Sequence, residues 1–519
     1  MTVRALVKPG EYHDSISLML VAKALAETAG VQDAAVVMST EANKAILASA
    51  GLLTDQIKAA GANDLVVVIK TETEAVGEAT LQRAESLLKS KMTTERAGEI
   101  RPRTLRGGLT QQPETNVVVI SVAGRYAADE AWDALRQGLH VLLFSDHVSV
   151  EDEIALKRYA RDHGLLLMGP GAGTTILNHT ALGFADVVPA GPIGIVSAAG
   201  TGLQEVSSLI GRLGGGITQG IGVGGRDLSR DVGGIMMLEG LKALQQDNET
   251  EVIVLVSKPP AAEIARSILE QVSKGDKPSV VCFLGGAGIG NGATPCAIPA
   301  RTLQESALLA LEAAHFKVGD VNARLRSEDD QLAEQAKALR AKLTASQRHL
   351  RGLFSGGTLC YEAQAVWRDM LSSPIYSNAP LPGEPALDDP MKSRGDTAVD
   401  MGEEEFTSGR LHPMIDQGLR IRRLLEEGRD PEVAAILLDV VLGYGAHPDP
   451  ASELGPAIKQ AKDAARGEGR ELCVVAAVTG TEGDPQCYSK VVSALERSGA
   501  SVCDCNAAAA RLTGWLVSG

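Results

Sequence analysis

At 519 residues the chain has room for three domains, each with its own core. Its 44% hydrophobic and 22% charged content is that of an ordinary soluble protein, and a net charge of -15 with dispersed lysines and arginines argues against nucleic-acid or anionic-membrane binding. Seven cysteines lacking metal spacing, no signal peptide and no apolar run of spanning length predict a reduced, cytoplasmic protein without a bound metal.

Residues 2–8 read as a strand and 15–29 as a helix, joined by a Pro9-Gly10-Glu11 turn that ends in capping residues. Strand 33–38, helix 41–50, strand 65–69 and helix 74–89 follow, then a polar connection over 90–115. Strands 116–122 and 140–144 flank helix 127–137. Helix 151–163 then leads to strand 165–168 and the turn Gly169-Pro170-Gly171-Ala172-Gly173-Thr174. This alternation predicts an α/β chain of three doubly wound parallel-sheet domains. The first spans 1–187 as a Rossmann-type unit, with 90–115 as a loop within it.

The second domain, 188–346, opens on Gly194-Ile195-Val196-Ser197-Ala198-Ala199-Gly200-Thr201-Gly202. Strand, small-residue loop and helix start form a geometry that aims free N–H groups and a positive helix end at an anion. The third domain, 350–519, opens the same way on Ser355-Gly356-Gly357-Thr358, and the elements downstream repeat in order. Two similar units suggest paired domains facing each other across a shared site. Residues 372–406, rich in Pro, Asp and Glu, read as a solvated insert.

Among the motifs, Gly220-Ile221-Gly222-Val223-Gly224-Gly225 matches a dinucleotide pattern but sits late in its domain and lacks the ribose-binding acid, so it reads as a crossover. No P-loop is present. Arg226, beside glycines after a strand, suits a carboxylate or phosphate, and a surface ion-pair cluster suits it nearly as well. Arg410 and His412 hold the matching place in the second copy. His447 reads as loop packing or capping, and Cys282 as a core residue.

The Gly194–Glu205 stretch resembles the phosphate-facing "power helix" loop of the succinyl-CoA synthetase α subunit. Residues 116–150 and 165–174 look like the second half of that subunit's CoA-binding domain. Residues 350–519 resemble the C-terminal domain of the β subunit, with Gly443–Pro450 at its own power-helix loop. More closely, P-G-E-Y-H-D-S-I-S-L-M, S-K-P-P, S-G-R-L-H-P-M-I-D and V-T-G-T-E-G-D-P-Q-C resemble the FdrA family. Three departures stand out. The loop 285–295, where the α subunit carries its phosphorylated histidine, has none; Lys258 replaces the supporting glutamate; and the ATP-grasp domain is missing.

The FdrA resemblance implies an oxamate carbamoyltransferase subunit of allantoin breakdown. It would take carbamoyl phosphate and oxamate, act with two unrelated partner subunits in a homo-oligomer, and bind no ATP. Ser197, Gly200, Thr201, Gly202, Gly443, Gly445 and Ala446 would hold the phosphate, and Arg226, Arg410 and His412 the remaining chemistry. CoA, if bound, would use Gly10, Gly124, Gly169 and Pro170, a poor cradle for a pyrophosphate. Two alternatives stay open: an acyl-CoA synthetase with a separate ATP-grasp chain, and a non-catalytic scaffold.

Overall fold

The structure is a computed structural model and describes residues 2–11, 15–40, 43–44, 47–48, 50–62, 64–93, 102–286, 296–407 and 410–518. It divides into two compact units, Met1–Arg103 with Glu403–His412, and Thr104–Gly402 with Pro413–Gly519.

In the first unit, strands β1 (Thr2–Lys8), β2 (Val31–Met38) and β3 (Leu65–Thr71) form a sheet of order β1-β3-β2. Both pairings are antiparallel, from Thr2↔Thr71 to Lys8↔Leu65 and from Val31↔Thr71 to Met38↔Leu65. The expected single parallel domain over 1–187 is therefore corrected. Buried on both faces, the Leu65–Thr71 run looks like a parallel strand in sequence. Here one face packs on Leu18, Val21, Leu25, Ala84 and Leu88, and the other on Leu47, Leu52 and Ile57. A central antiparallel strand covered on both sides carries the same apolar pattern.

The second unit begins with a parallel layer of β4 (Val117–Ile120), β5 (His140–Leu143) and β6 (Leu167–Met168). A hairpin, β7 (Thr174–Leu177) and β8 (Thr180–Gly183), then joins the next sheet through an antiparallel pairing of Ile176 with Gly220. That sheet continues with β9 (Ala190–Ser197), β10 (Ile217–Gly222), β11 (Val252–Ser257), β12 (Ser279–Phe283) and β13 (Ala297–Ala300), in the order β13-β12-β11-β9-β10-β7-β8. The last sheet is parallel throughout. It comprises β14 (His349–Phe354), β15 (Ile375–Ser377), β16 (Asp396–Asp400), β17 (Val433–Val441), β18 (Cys473–Thr479) and β19 (Ser501–Cys503), in the order β15-β16-β14-β17-β18-β19.

The stretch 372–406 corrects a second expectation. It supplies β15 and β16, and every residue of β16 is buried. Asp396, Thr397 and Asp400 look solvated in sequence, yet Asp396 accepts from Leu350 N and Ser373 Oγ, and Thr397 closes on Arg394. Internal partners let polar residues occupy a buried strand. The two sheets share one core. Leu203, Val206 and Ile210 of helix Gly200–Arg212 pack in the same cluster as Leu359, Ala363 and Trp367 of helix Gly357–Met370, with helices Leu303–Ala313 and Asn506–Val517 completing it.

Candidate functional site

β9 ends at Ser197, whose hydroxyl donates to Ala199 O at 2.7 Å and accepts from Ala199 N at 3.1 Å. This closes a tight turn that delivers the chain to the helix starting at Gly200. Ala199 at the cap offers no side-chain bond, and the first intrahelical donor is Leu203 N, to Ala199 O. The N–H groups of Gly200, Thr201 and Gly202 therefore lack intrahelical partners and carry the positive end of the helix dipole.

The second helix starts alike. Gly356 caps it without a side-chain bond, and Cys360 N is the first donor, to Gly356 O. The two starts meet. A Cβ built on Gly356 would lie 2.7 Å from Thr201 Cγ2 and 2.9 Å from its Oγ1; one on Gly202 would lie 3.0 Å from Thr358 Cγ2. Each glycine makes room for the other helix's threonine. Thr201 is 8% exposed and Thr358 5%, and among the described residues neither hydroxyl has a hydrogen-bond partner.

The correspondence runs deeper. Gly200-Thr201-x-x-x-Glu205 and Gly357-Thr358-x-x-x-Glu362 are one pattern, one turn of helix apart at the acid. Both glutamates are buried and share one residue: Asn506 N donates to Glu205 at 2.9 Å, and Asn506 Nδ2 to Glu362 at 2.8 Å. Glu362 also accepts from Leu303 N at 2.7 Å, and Glu205 from the Thr479 hydroxyl. Burial pushes the Glu362 carboxyl up to about 7 and raises that of Glu205.

Two further groups reach the junction. Lys258, just past β11, has its Nζ 3.6 Å from a Cβ built on Gly357, and Asp400 Oδ2 contacts the same point. Asp400 is buried and accepts from Gly402 N at 3.0 Å. Behind the loop, buried Asp439 accepts from Ser355 N at 2.8 Å, Ser355 Oγ at 2.9 Å and Gly356 N at 2.8 Å, with Arg420 paired to it at 2.9 Å. An internal carboxylate thus fills the anion position of Ser355–Gly356. The N–H groups of Gly357, Thr358 and Leu359 are left without intrahelical partners.

The remaining expected residues lie elsewhere. Arg226 pairs with Glu153 at 2.9 Å and donates to Val148 O, joining a buried network of Lys157, Glu153 and Asp227 in which Asp227 caps helix Ile235–Gln246. It is the ion-pair alternative that the structure builds. The Gly443–Ala446 loop is held by other parts of the chain. Tyr444 N donates to Ala185 O, Gly443 exchanges bonds with the Gln486 amide, and Gly445 packs on Phe184. Ala185 and Phe184 lie more than 250 residues before this loop and Gln486 lies 43 residues after Gly443, so no local pattern reveals these contacts. Arg410 and His412 fall in the first compact unit. His447 caps its own loop, accepting from Asp449 N and meeting Glu453 at 3.1 Å.

Of the glycines expected to cradle CoA, Gly124 and Gly169 pack closely against backbone. Gly10 N donates to Asp64 at 3.1 Å, a Cβ on Gly124 would strike the Asp146 and His147 backbone, and one on Gly169 would strike Leu143 O. Pro170 O packs against Gly224. A Cβ built on Gly10 would meet open space. Thr358, Lys258, Asp400 and the two glutamates complete the junction. The Gly-Thr-x-x-x-Glu repeat was the sequence signal for three of them.

Comparison with known proteins agrees with this division. The family model described as "AllF, heavy metal-associated domain" matches residues 1–102, "CoA binding domain" matches 190–285 and "CoA-ligase" matches 353–516. No cysteine occurs in 1–102, and among the described residues no three His, Cys, Asp or Glu side chains are grouped to hold a metal, so a thiolate-bound heavy metal does not fit the first unit. The α subunit of ADP-forming succinate–CoA ligase from Methanothermobacter thermautotrophicus is 27% identical over 34% of this chain, which spans 60% of that subunit. ATP citrate lyase from Methanothrix soehngenii, solved with citrate and coenzyme A, overlaps at a TM-score of 0.36 and 17% identity, covering 41% of this chain and 40% of that one, too little to carry weight. The uncharacterized protein YahF of Escherichia coli is 44% identical over 488 residues, covering 93% of this chain and 92% of its own. The chain belongs to the same succinyl-CoA-synthetase-like family as YahF.

Proposed function

We propose that the chain handles an acyl phosphate, with the phosphoryl group bound where the Gly200 and Gly357 helices meet. The observation that carries this is the reciprocal seating of Thr201 and Thr358, two largely buried threonines whose hydroxyls have no partner among the described residues, beside two uncapped helix starts. Backbone donors at a helix start favour a phosphate, and preorganised donors stabilise charge that gathers on a departing one. In the transfer favoured here, the acceptor nitrogen of oxamate attacks the carbonyl carbon of carbamoyl phosphate. The carbon–oxygen bond to phosphorus breaks, inorganic phosphate leaves, and the amide proton passes to a base. Positioning and charge supply the catalysis, and no covalent intermediate on the protein is required.

The ligase reading rests on the CoA-binding and CoA-ligase family matches. It requires a nucleotide-binding chain alongside this one. Phosphate release from carbamoyl phosphate plus oxamate, measured with and without co-expressed partner subunits, decides between them. Release that depends on oxamate is the expected outcome. Consumption of CoA with an acyl phosphate, and none of oxamate, would overturn the transfer in favour of the ligase.

A further inference from the structure

Lys258 stands at an electrostatically odd place. Its ammonium lies against the first residue of the Gly357 helix, while Val256, two residues earlier, contacts the start of the Gly200 helix at 3.1 Å from a Cβ built on Gly202. A cation at a helix N-terminus opposes the dipole, which carries roughly half a positive charge there. Two such starts plus an ammonium sum to about two positive charges, of which Asp400 offsets one. Among the described residues Lys258 has no ion pair, and its one aromatic neighbour is Tyr361, with Nζ 5.8 Å from the ring centroid. Thr201, a buried residue whose hydroxyl has no partner among the described residues, holds that hydroxyl 2.9 Å from a Cβ built on Gly356 at the same junction.

We propose that Lys258 is the charge partner of the substrate's phosphoryl group, and that it makes this a site for a freely diffusing phosphate ester or anhydride. The inference rests on the acyl-phosphate reading above and adds the residue that selects the ligand. A flexible ammonium suits this task, because it follows the phosphoryl oxygens as the leaving group gains charge. Partly buried, Lys258 can reach an anion held by the helix donors.

Calorimetric titration of the full chain with inorganic phosphate, at constant ionic strength, tests this. Lys258→Gln should weaken phosphate binding at least tenfold and Lys258→Arg only a few-fold, with unchanged circular dichroism in both. Lys258→Met repeats the test if the glutamine variant misfolds. Wild-type affinity retained in the neutral variants overturns the role of Lys258 and leaves the helix-junction site standing. Absence of phosphate binding to the wild type overturns both.

Discussion

Glu362 lies one helical turn behind Thr358, enclosed by Asn506 and the Leu303 N–H, with Glu205 and Arg511 as the charged groups acting on it. Its ordinary value of 4.5 rises to about 7 because burial penalises the charged carboxylate more than these donors favour it. The folded chain therefore holds this proton more tightly than the unfolded chain. The stabilisation is complete below pH 4.5 and is lost as pH climbs to about 7, a difference of roughly 3 kcal/mol. Glu205 and Asp186 are raised too, each chiefly by burial, with Asp484 adding to the effect at Asp186, so their contributions have the same sign. The urea midpoint of the wild type is expected to fall between pH 5 and 7.5, and Glu362→Gln to flatten that slope. An unchanged slope in the variant would place the titration elsewhere.

At the scale of elements, Trp367 fastens the Gly357 helix to the rest of the unit. It is fully buried, with Nε1 donating to Ala510 O at 2.9 Å and its ring beside Phe354 at 6.2 Å between centroids. Trp367→Ala should cost roughly 3–5 kcal/mol, read as a lowered urea midpoint, because it removes a large buried surface and leaves a cavity. Elements of this kind were legible in the sequence. The βα order from β9 onward, the two small-residue loops and the helices after them follow from periodicity and glycine placement. Strand direction was not legible for β1, β2 and β3, since apolar period says which faces are buried and not which way a neighbour runs. Nor was β16, whose acids and threonine are satisfied by partners that only the fold supplies. Arg226 shows the same limit, because its partner Glu153 lies on another helix and its backbone acceptor is Val148.

Across the whole second unit, the two sheets present their first helices to each other, and the Gly-Thr-x-x-x-Glu repeat gives the junction an approximate two-fold character. The symmetry is broken at the backs of the loops. Asp439 occupies Ser355 and Gly356, whereas Ser197 closes its own turn on Ala199. On the proposed reading, a single external anion completes the pair. A carboxylate placed at either threonine would sit where that anion belongs, opposing it by a few kcal/mol in a partly dry site, on the order of 4 kcal/mol for charges 4 Å apart at an effective dielectric constant of about 20. Thr201→Glu and Thr358→Glu should each abolish the phosphate-dependent rise in melting temperature and reduce phosphate release by orders of magnitude. Ala446→Asp introduces the same charge at the Gly443 loop, which packs against Phe184 and Ala185. It should leave both readouts intact. Loss of the phosphate response in Ala446→Asp, with retention in Thr358→Glu, would return the second half of the site to the Gly443 loop and refute the helix junction.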